Sequence, residues 1–142
     1  MKTLTHIFLC LLCIGSILNS SAQESENHTI TVTIDGITSD RGTIRVGLYN
    51  TPDDFLNSPY TSTYIKAVKG NVQVVFKNVP KGQYAISVYQ DVDDNEVLNT
   101  VFGIPTEPYG TSNNAKGYFG PPKWEDAKFT TPHKETMQHI TL

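Results

Sequence analysis

The chain has 142 residues, a formal charge of −3 and 18% charged side chains. That mild acidity argues against nucleic acid and against an anionic membrane surface as partners. Both cysteines, Cys10 and Cys13, lie near the start, so a thiol nucleophile is excluded from the remainder.

Residues 1–22 read as a secretory signal peptide. Lys2 supplies a positive start, Ile7 to Leu18 an apolar stretch, and Ser20-Ser21-Ala22 the small residues of a cleavage site. The apolar stretch is shorter than the ~20 residues of a membrane span. Residues 23–142 are then one exported domain, and loss of Lys2 takes the formal charge from −3 to −4. With no cysteine left, its core or a metal must hold it together. No second apolar stretch could span a bilayer, so the mature chain is expected to have no transmembrane segment.

Ile30, Val32 and Ile34 alternate with threonines, the pattern of a half-buried strand. Asp35-Gly36 and Asp40-Arg41-Gly42 are turn signals, and Ile44, Val46 and Leu48 alternate again, so the two runs read as a hairpin. A loop over 50–59 holds one helical turn around Asp53 to Leu56. Thr61 to Val68 is a weaker strand, and Val72, Val74 and Phe76 mark a fourth. In the fifth, Tyr84, Ile86 and Val88 share one face while Ala85, Ser87 and Tyr89 share the other. A final strand runs from Thr136 to Leu142. No segment keeps a helical period. The expectation is an all-β fold: a single antiparallel β-sandwich, immunoglobulin-like or prealbumin-like, of about seven strands.

Residues 101–128 form a long loop between the fifth and last strands. Phe102, Tyr109, Tyr118, Phe119, Trp124 and Phe129 lie in or beside it, and such residues need something to bury against. An ordered excursion packed over one end of the sandwich is expected, in a place where function often sits.

Asp91-Val92-Asp93-Asp94-Asn95-Glu96-Val97-Leu98-Asn99 follows the fifth strand directly. Asp91, Asp93, Asn95 and Asn99 fall at relative positions 1, 3, 5 and 9, the spacing with which a calcium loop wraps oxygens around one hard cation. On that reading Asp91, Asp93 and Asn95 give side-chain oxygens, Val97 a backbone carbonyl, and Asn99 an oxygen directly or through water. Phe102 stands where a helical calcium hand needs a bidentate Glu, so this is no EF-hand. One of Glu107, Glu125 or Asp126 could complete the shell. The alternative is a polar loop that satisfies its own backbone through Asx turns. With only oxygen donors, calcium is the ion the sequence suggests.

Several segments carry a family resemblance. They are Pro80-Lys81-Gly82-Gln83-Tyr84-Ala85-Ile86, Gly103-Ile104-Pro105-Thr106-Glu107-Pro108-Tyr109-Gly110, Ser112-Asn113-Asn114, and Gly120-Pro121-Pro122-Lys123-Trp124-Glu125-Asp126-Ala127. Together with the acidic loop they resemble the bacterial domain of unknown function 2141 family. The resemblance implies an exported β-sandwich and no established activity. Family members typically carry His-Asp-x-Asn-x-Asn-Gly-x-x-Asp in the acidic loop. Here Gln90 replaces the His, Asp93 the first Asn, Glu96 the Gly and Asn99 the last Asp. Glu96 thus stands where Gly would ease a sharp turn.

Two functions remain open. Glu107, Tyr109, Asn113, Asn114 and Trp124, with Tyr118 and Phe119, could form an aromatic and polar surface for a carbohydrate or an envelope protein. The same aromatics could instead be a small core of the loop. The expected function is an exported, non-enzymatic binding or structural module of the cell envelope, periplasmic or secreted and calcium-stabilised. The alternative is a small glycoside hydrolase using loop carboxylates. His28, His133 and His139 have no nucleophile in a recognisable motif beside them.

Overall fold

The computed structural model describes residues 27–142. The signal-peptide reading of residues 1–22 lies outside the described residues.

Ten strands form: β1 (His28–Ile37), β2 (Thr43–Tyr49), β3 (Thr61–Lys66), β4 (Gly70–Val79), β5 (Gln83–Asp91), β6 (Thr100–Val101), β7 (Ile104–Pro105), β8 (Tyr109–Thr111), β9 (Phe129–Thr130) and β10 (Glu135–Thr141). A single helical turn, α1, spans Trp124–Ala127, and a 3₁₀ turn spans Ser112–Asn114. The smaller sheet runs β10-β1-β4. The larger runs β3-β2-β5-β8, with β9 also pairing with β5. Strands β6 and β7 make a separate two-stranded hairpin.

The two large sheets face one another. Ile30, Val32 and Ile34 of β1, Val74 and Phe76 of β4 and Ile140 of β10 share one buried cluster with Ile44, Val46 and Leu48 of β2 and Ile86 and Val88 of β5. Alternation places every second residue of each strand in that layer, where an aliphatic side chain contributes roughly 1.5–3 kcal/mol on full burial.

Three expectations are corrected. First, β1 and β2 do not form a hairpin: β1 pairs with β4 and β10, whereas β2 pairs with β3 and β5. The turn residues between them carry the chain from one sheet to the other. Alternation in sequence says which face is buried, and it reads the same whether the next strand lies beside or opposite. Second, β10 pairs with β1 in parallel, Thr29 opposite Glu135 and Ile34 opposite Ile140, within an otherwise antiparallel fold. Third, residues 101–128 are not one irregular loop, since β7, β8, the 3₁₀ turn and α1 fall inside them. With β6 and β9 at its edges, these short strands bring the number among the described residues to ten rather than about seven.

A second, smaller core forms on the outer face of the larger sheet. Tyr49 and Ala85 point outward there and are covered by Phe55, Trp124 and Ala127. Phe55 stands edge-on to both Tyr49 and Trp124, with ring centroids 5.4 and 5.8 Å apart. Trp124 is therefore held at a fixed place over the sheet, and with it the loop that precedes α1.

Candidate functional site

The acidic loop is built around two carboxylates. Asp91 ends β5 on the outer face and is fully buried. Its Oδ2 accepts from Arg45 Nε at 2.7 Å and from the Glu96 backbone N–H at 2.9 Å, and its Oδ1 accepts from the Asn95 N–H at 3.0 Å. Burial alone would raise its pKa. The Arg45 guanidinium and the two N–H groups outweigh burial and hold the carboxyl below the usual carboxylate range. Arg45 also reaches Glu96 Oε1 at 3.1 Å and lies 5.9 Å from the centre of the Tyr64 ring.

Glu107 is the second anchor. Its Oε1 accepts from the Val92 N–H at 2.8 Å and its Oε2 from the Asn99 N–H at 2.9 Å, so one side chain clasps both ends of the loop. The β5–β8 register explains its place. Tyr89 pairs with Tyr109 and the Gln90 N–H donates to the Pro108 carbonyl, which sets Glu107 across from Asp91.

Asp91, Asp93 and Glu107 each bring a carboxylate oxygen within 4.8 Å of the others. Asn95 and Asn99 join them through amide N–H groups donated to Asp93 Oδ2 at 3.2 and 3.0 Å. Asn95 Oδ1 accepts from the Val97 N–H at 2.9 Å, an Asx turn. Of the three carboxylates that could complete a shell, Glu107 is thus the one in reach. Glu125 sits on α1 in an ion pair with Lys128, and Asp126 is its neighbour there. Glu96 adopts a left-handed φ of 68°, the conformation the family's Gly would take without strain. Asp94 is also left-handed, at 56°.

Beside this loop lies a groove of about 570 Å³ on the outer face of the larger sheet. Ser87 and Tyr89 of β5 and Tyr109 and Thr111 of β8 face it. The β6–β7 hairpin walls one side with Ile104 and Pro105, and residues 117–122 wall another with Tyr118 and Pro121. Leu98 carries the acidic loop into the same lining. Among the described residues the groove has no Asp, Glu, Lys, Arg or His in its lining. Tyr89 is steadied by donating its hydroxyl to the Glu96 carbonyl at 3.0 Å. Burial raises the pKa of both Tyr49 and Tyr89, so their hydroxyls stay neutral.

The structure separates the residues proposed from sequence as a binding surface. Tyr109 lines the groove and Glu107 is an anchor of the acidic loop. Trp124 is 8% exposed in the outer-face core. Asn113 donates to the Asp126 and Lys128 carbonyls at 3.1 and 2.9 Å, and Asn114 Oδ1 accepts from the Thr141 N–H at 2.9 Å, so both are clamps. Tyr118 and Phe119 are exposed, as is Phe102 at the tip of the β6–β7 hairpin. The sequence reading missed Tyr49, Tyr89, Leu98 and Ile104 as groove residues. The outward phase of β5, with Ser87 and Tyr89 together, is the signal that marks Tyr89; none marks the other three.

Fold and site define a two-sheet β-sandwich with an anchored acidic loop flanking an aromatic groove. The chain belongs to the family described as an uncharacterized protein conserved in bacteria (DUF2141), whose model matches residues 32–139. Comparisons with curated proteins and with solved structures give no significant match.

Proposed function

We propose that this protein is an exported, non-enzymatic binding module of the bacterial envelope, with its ligand site in the outer-face groove. The observation that carries the reading is the groove itself: concave, lined by tyrosine, leucine and proline side chains, and free of charge. The apolar stretch and small residues of 1–22 support export.

Calcium at the acidic loop is part of the same proposal. Three converging carboxylates supply hard oxygen donors. Asp91 Oδ1 and both Glu107 oxygens each accept one backbone N–H and keep a second lone pair. Arg45 offsets only one of the three charges. A half-turn of the Asn95 or Asn99 amide would exchange its nitrogen for an oxygen beside Asp93. An ion there would stiffen the wall that Leu98 contributes.

No observation favours the hydrolase reading. Both Glu107 oxygens are engaged with backbone N–H groups, and Glu125 faces Lys128.

The test is a thermal-shift screen of small neutral ligands against the wild type and Ser87→Trp, which fills the groove floor. The proposal expects ligands that raise the melting temperature of the wild type and not of the variant. Ligands that stabilise both equally would place binding elsewhere and sink the reading.

A further inference from the structure

The groove continues. A second depression of about 530 Å³ shares Tyr49, Leu56, Ser87, Tyr89 and Leu98 with it and extends to Ser62, Thr63 and Tyr64 on β3. The combined trough therefore crosses the strands from β8 over β5 and β2 to β3. Three strand spacings make it roughly 14 Å long at ~4.8 Å each. That length suits a short linear chain better than a compact molecule.

Charge narrows the chemistry. Among the described residues the first depression has no side chain charged at neutral pH in its lining. In the second, Arg45 is already paired with Asp91 and Glu96. An anionic polymer finds no unpaired cation there and meets the acidic loop beside it. Backbone geometry narrows it further. The floor is the face of a sheet whose N–H and C=O groups are engaged with neighbouring strands. An extended peptide laid on it would bury its own backbone groups with few partners. Hydroxyls of Tyr49, Ser87, Tyr89 and Tyr109 stud the lining and disfavour a bare hydrocarbon chain. A sugar chain meets both demands at once, with C–H faces for the rings and hydroxyls for the hydroxyls.

We propose that the trough binds a neutral linear oligosaccharide, laid across the strands with Tyr89 and Tyr109 as its main contacts. This rests on the reading of the groove as the ligand site. Gly47 supports it: a Cβ there would come within 3.0 Å of the Tyr49 ring. Its absence lets that ring lie down along β2, leaving the middle of the trough open.

The test is calorimetric titration of the full chain with neutral hexasaccharides of glucose, xylose and mannose in several linkages. An oligogalacturonate and an apolar fluorescent dye serve as the other arms. Binding of at least one neutral sugar, weakened about tenfold or more in both Tyr89→Ala and Tyr109→Ala, is the expected result. Tyr109 is 39% exposed, so Tyr109→Ala should keep a wild-type melting curve even where Tyr89→Ala does not. If only the dye binds and Ser87→Trp displaces it, the carbohydrate assignment falls while the groove stands. If the oligogalacturonate binds more tightly than every neutral sugar, the charge argument falls. If nothing binds, both readings fall.

Discussion

Arg45 Nε lies 2.7 Å from Asp91 Oδ2, joining β2 to β5 diagonally on the outer face of the larger sheet. Asp91 has no exposure, whereas the Arg45 side chain is 23% exposed. The pair is thus half in solvent, and the buried partner has more to lose when it is broken.

Acid should reveal this pair. The folded pKa of Asp91 lies below its ordinary value, so its contribution is present above about pH 4 and is lost as pH falls through the depressed value. Asp91→Asn should cost roughly 2–4 kcal/mol at pH 7, because Arg45 and two N–H groups lose their anion. Denaturant unfolding of wild type and variant between pH 2 and 7 checks this, and the two stabilities should converge toward the acid end. A constant gap would show that the charge of Asp91 is not what matters.

Glu107→Gln keeps the shape and removes one acceptor. The new NH₂ group must then face either the Val92 or the Asn99 N–H, donor against donor. A loss of about 1–3 kcal/mol is expected. Amide exchange should quicken at Val92 and Asn99 more than in β2 or β4. Uniform quickening would mean a global effect instead of a loosened loop.

Glu96 allows a signed comparison. Glu96→Ala removes the ion pair with Arg45 and keeps the left-handed strain, whereas Glu96→Gly removes both. The Gly variant should be more stable than the Ala variant by about 1 kcal/mol. Melting temperatures in the opposite order would show that this backbone conformation carries no strain.

Gly42 sits against the start of the acidic loop. Its φ is +72°, and a Cβ would come within 1.9 Å of the Asp91 carbonyl oxygen. Gly42→Ala must push β2 and β5 apart at that end and should cost at least ~2 kcal/mol. Two-dimensional NMR should show the largest shifts at Arg45 and Asp91. Unchanged shifts there would contradict the close approach.

Calcium should raise the melting temperature and a chelator should lower it, with Asp93→Ala abolishing the difference. Asp93 is exposed, and among the described residues its side chain bonds only to Asn95 and Asn99, so this variant should fold. No shift at millimolar calcium would remove the ion from the proposal.

Much of the framework was legible in the sequence. The alternation of Ile44, Val46 and Leu48, and of Tyr84, Ile86 and Val88, marks the core faces correctly. The spacing of Asp91, Asp93, Asn95 and Asn99 marks a cluster that closes on itself. What escaped was pairing. Alternation carries no information about which sheet a strand joins, so β1 and β2 read as a hairpin. The strand at Tyr109 is three residues long, too short for any period to show. Without it, Glu107 had no register and stood level with Glu125 and Asp126 as a third carboxylate. Trp124 and Phe119 are close in sequence and chemically alike, yet one is buried and the other fully exposed. Only Phe55 and Tyr49, distant in the chain, decide which.

The parallel pairing of β10 with β1 has a consequence in time. Strand β1 is among the earliest described segments to be synthesised, and β10 is the last of the strands. Between those moments one edge of β1 presents unpaired N–H and C=O groups to any strand that passes. The smaller sheet cannot assume its final order until nearly the whole domain has emerged, and contacts so distant in sequence slow folding. Whatever accompanies the nascent chain has an open edge to shield.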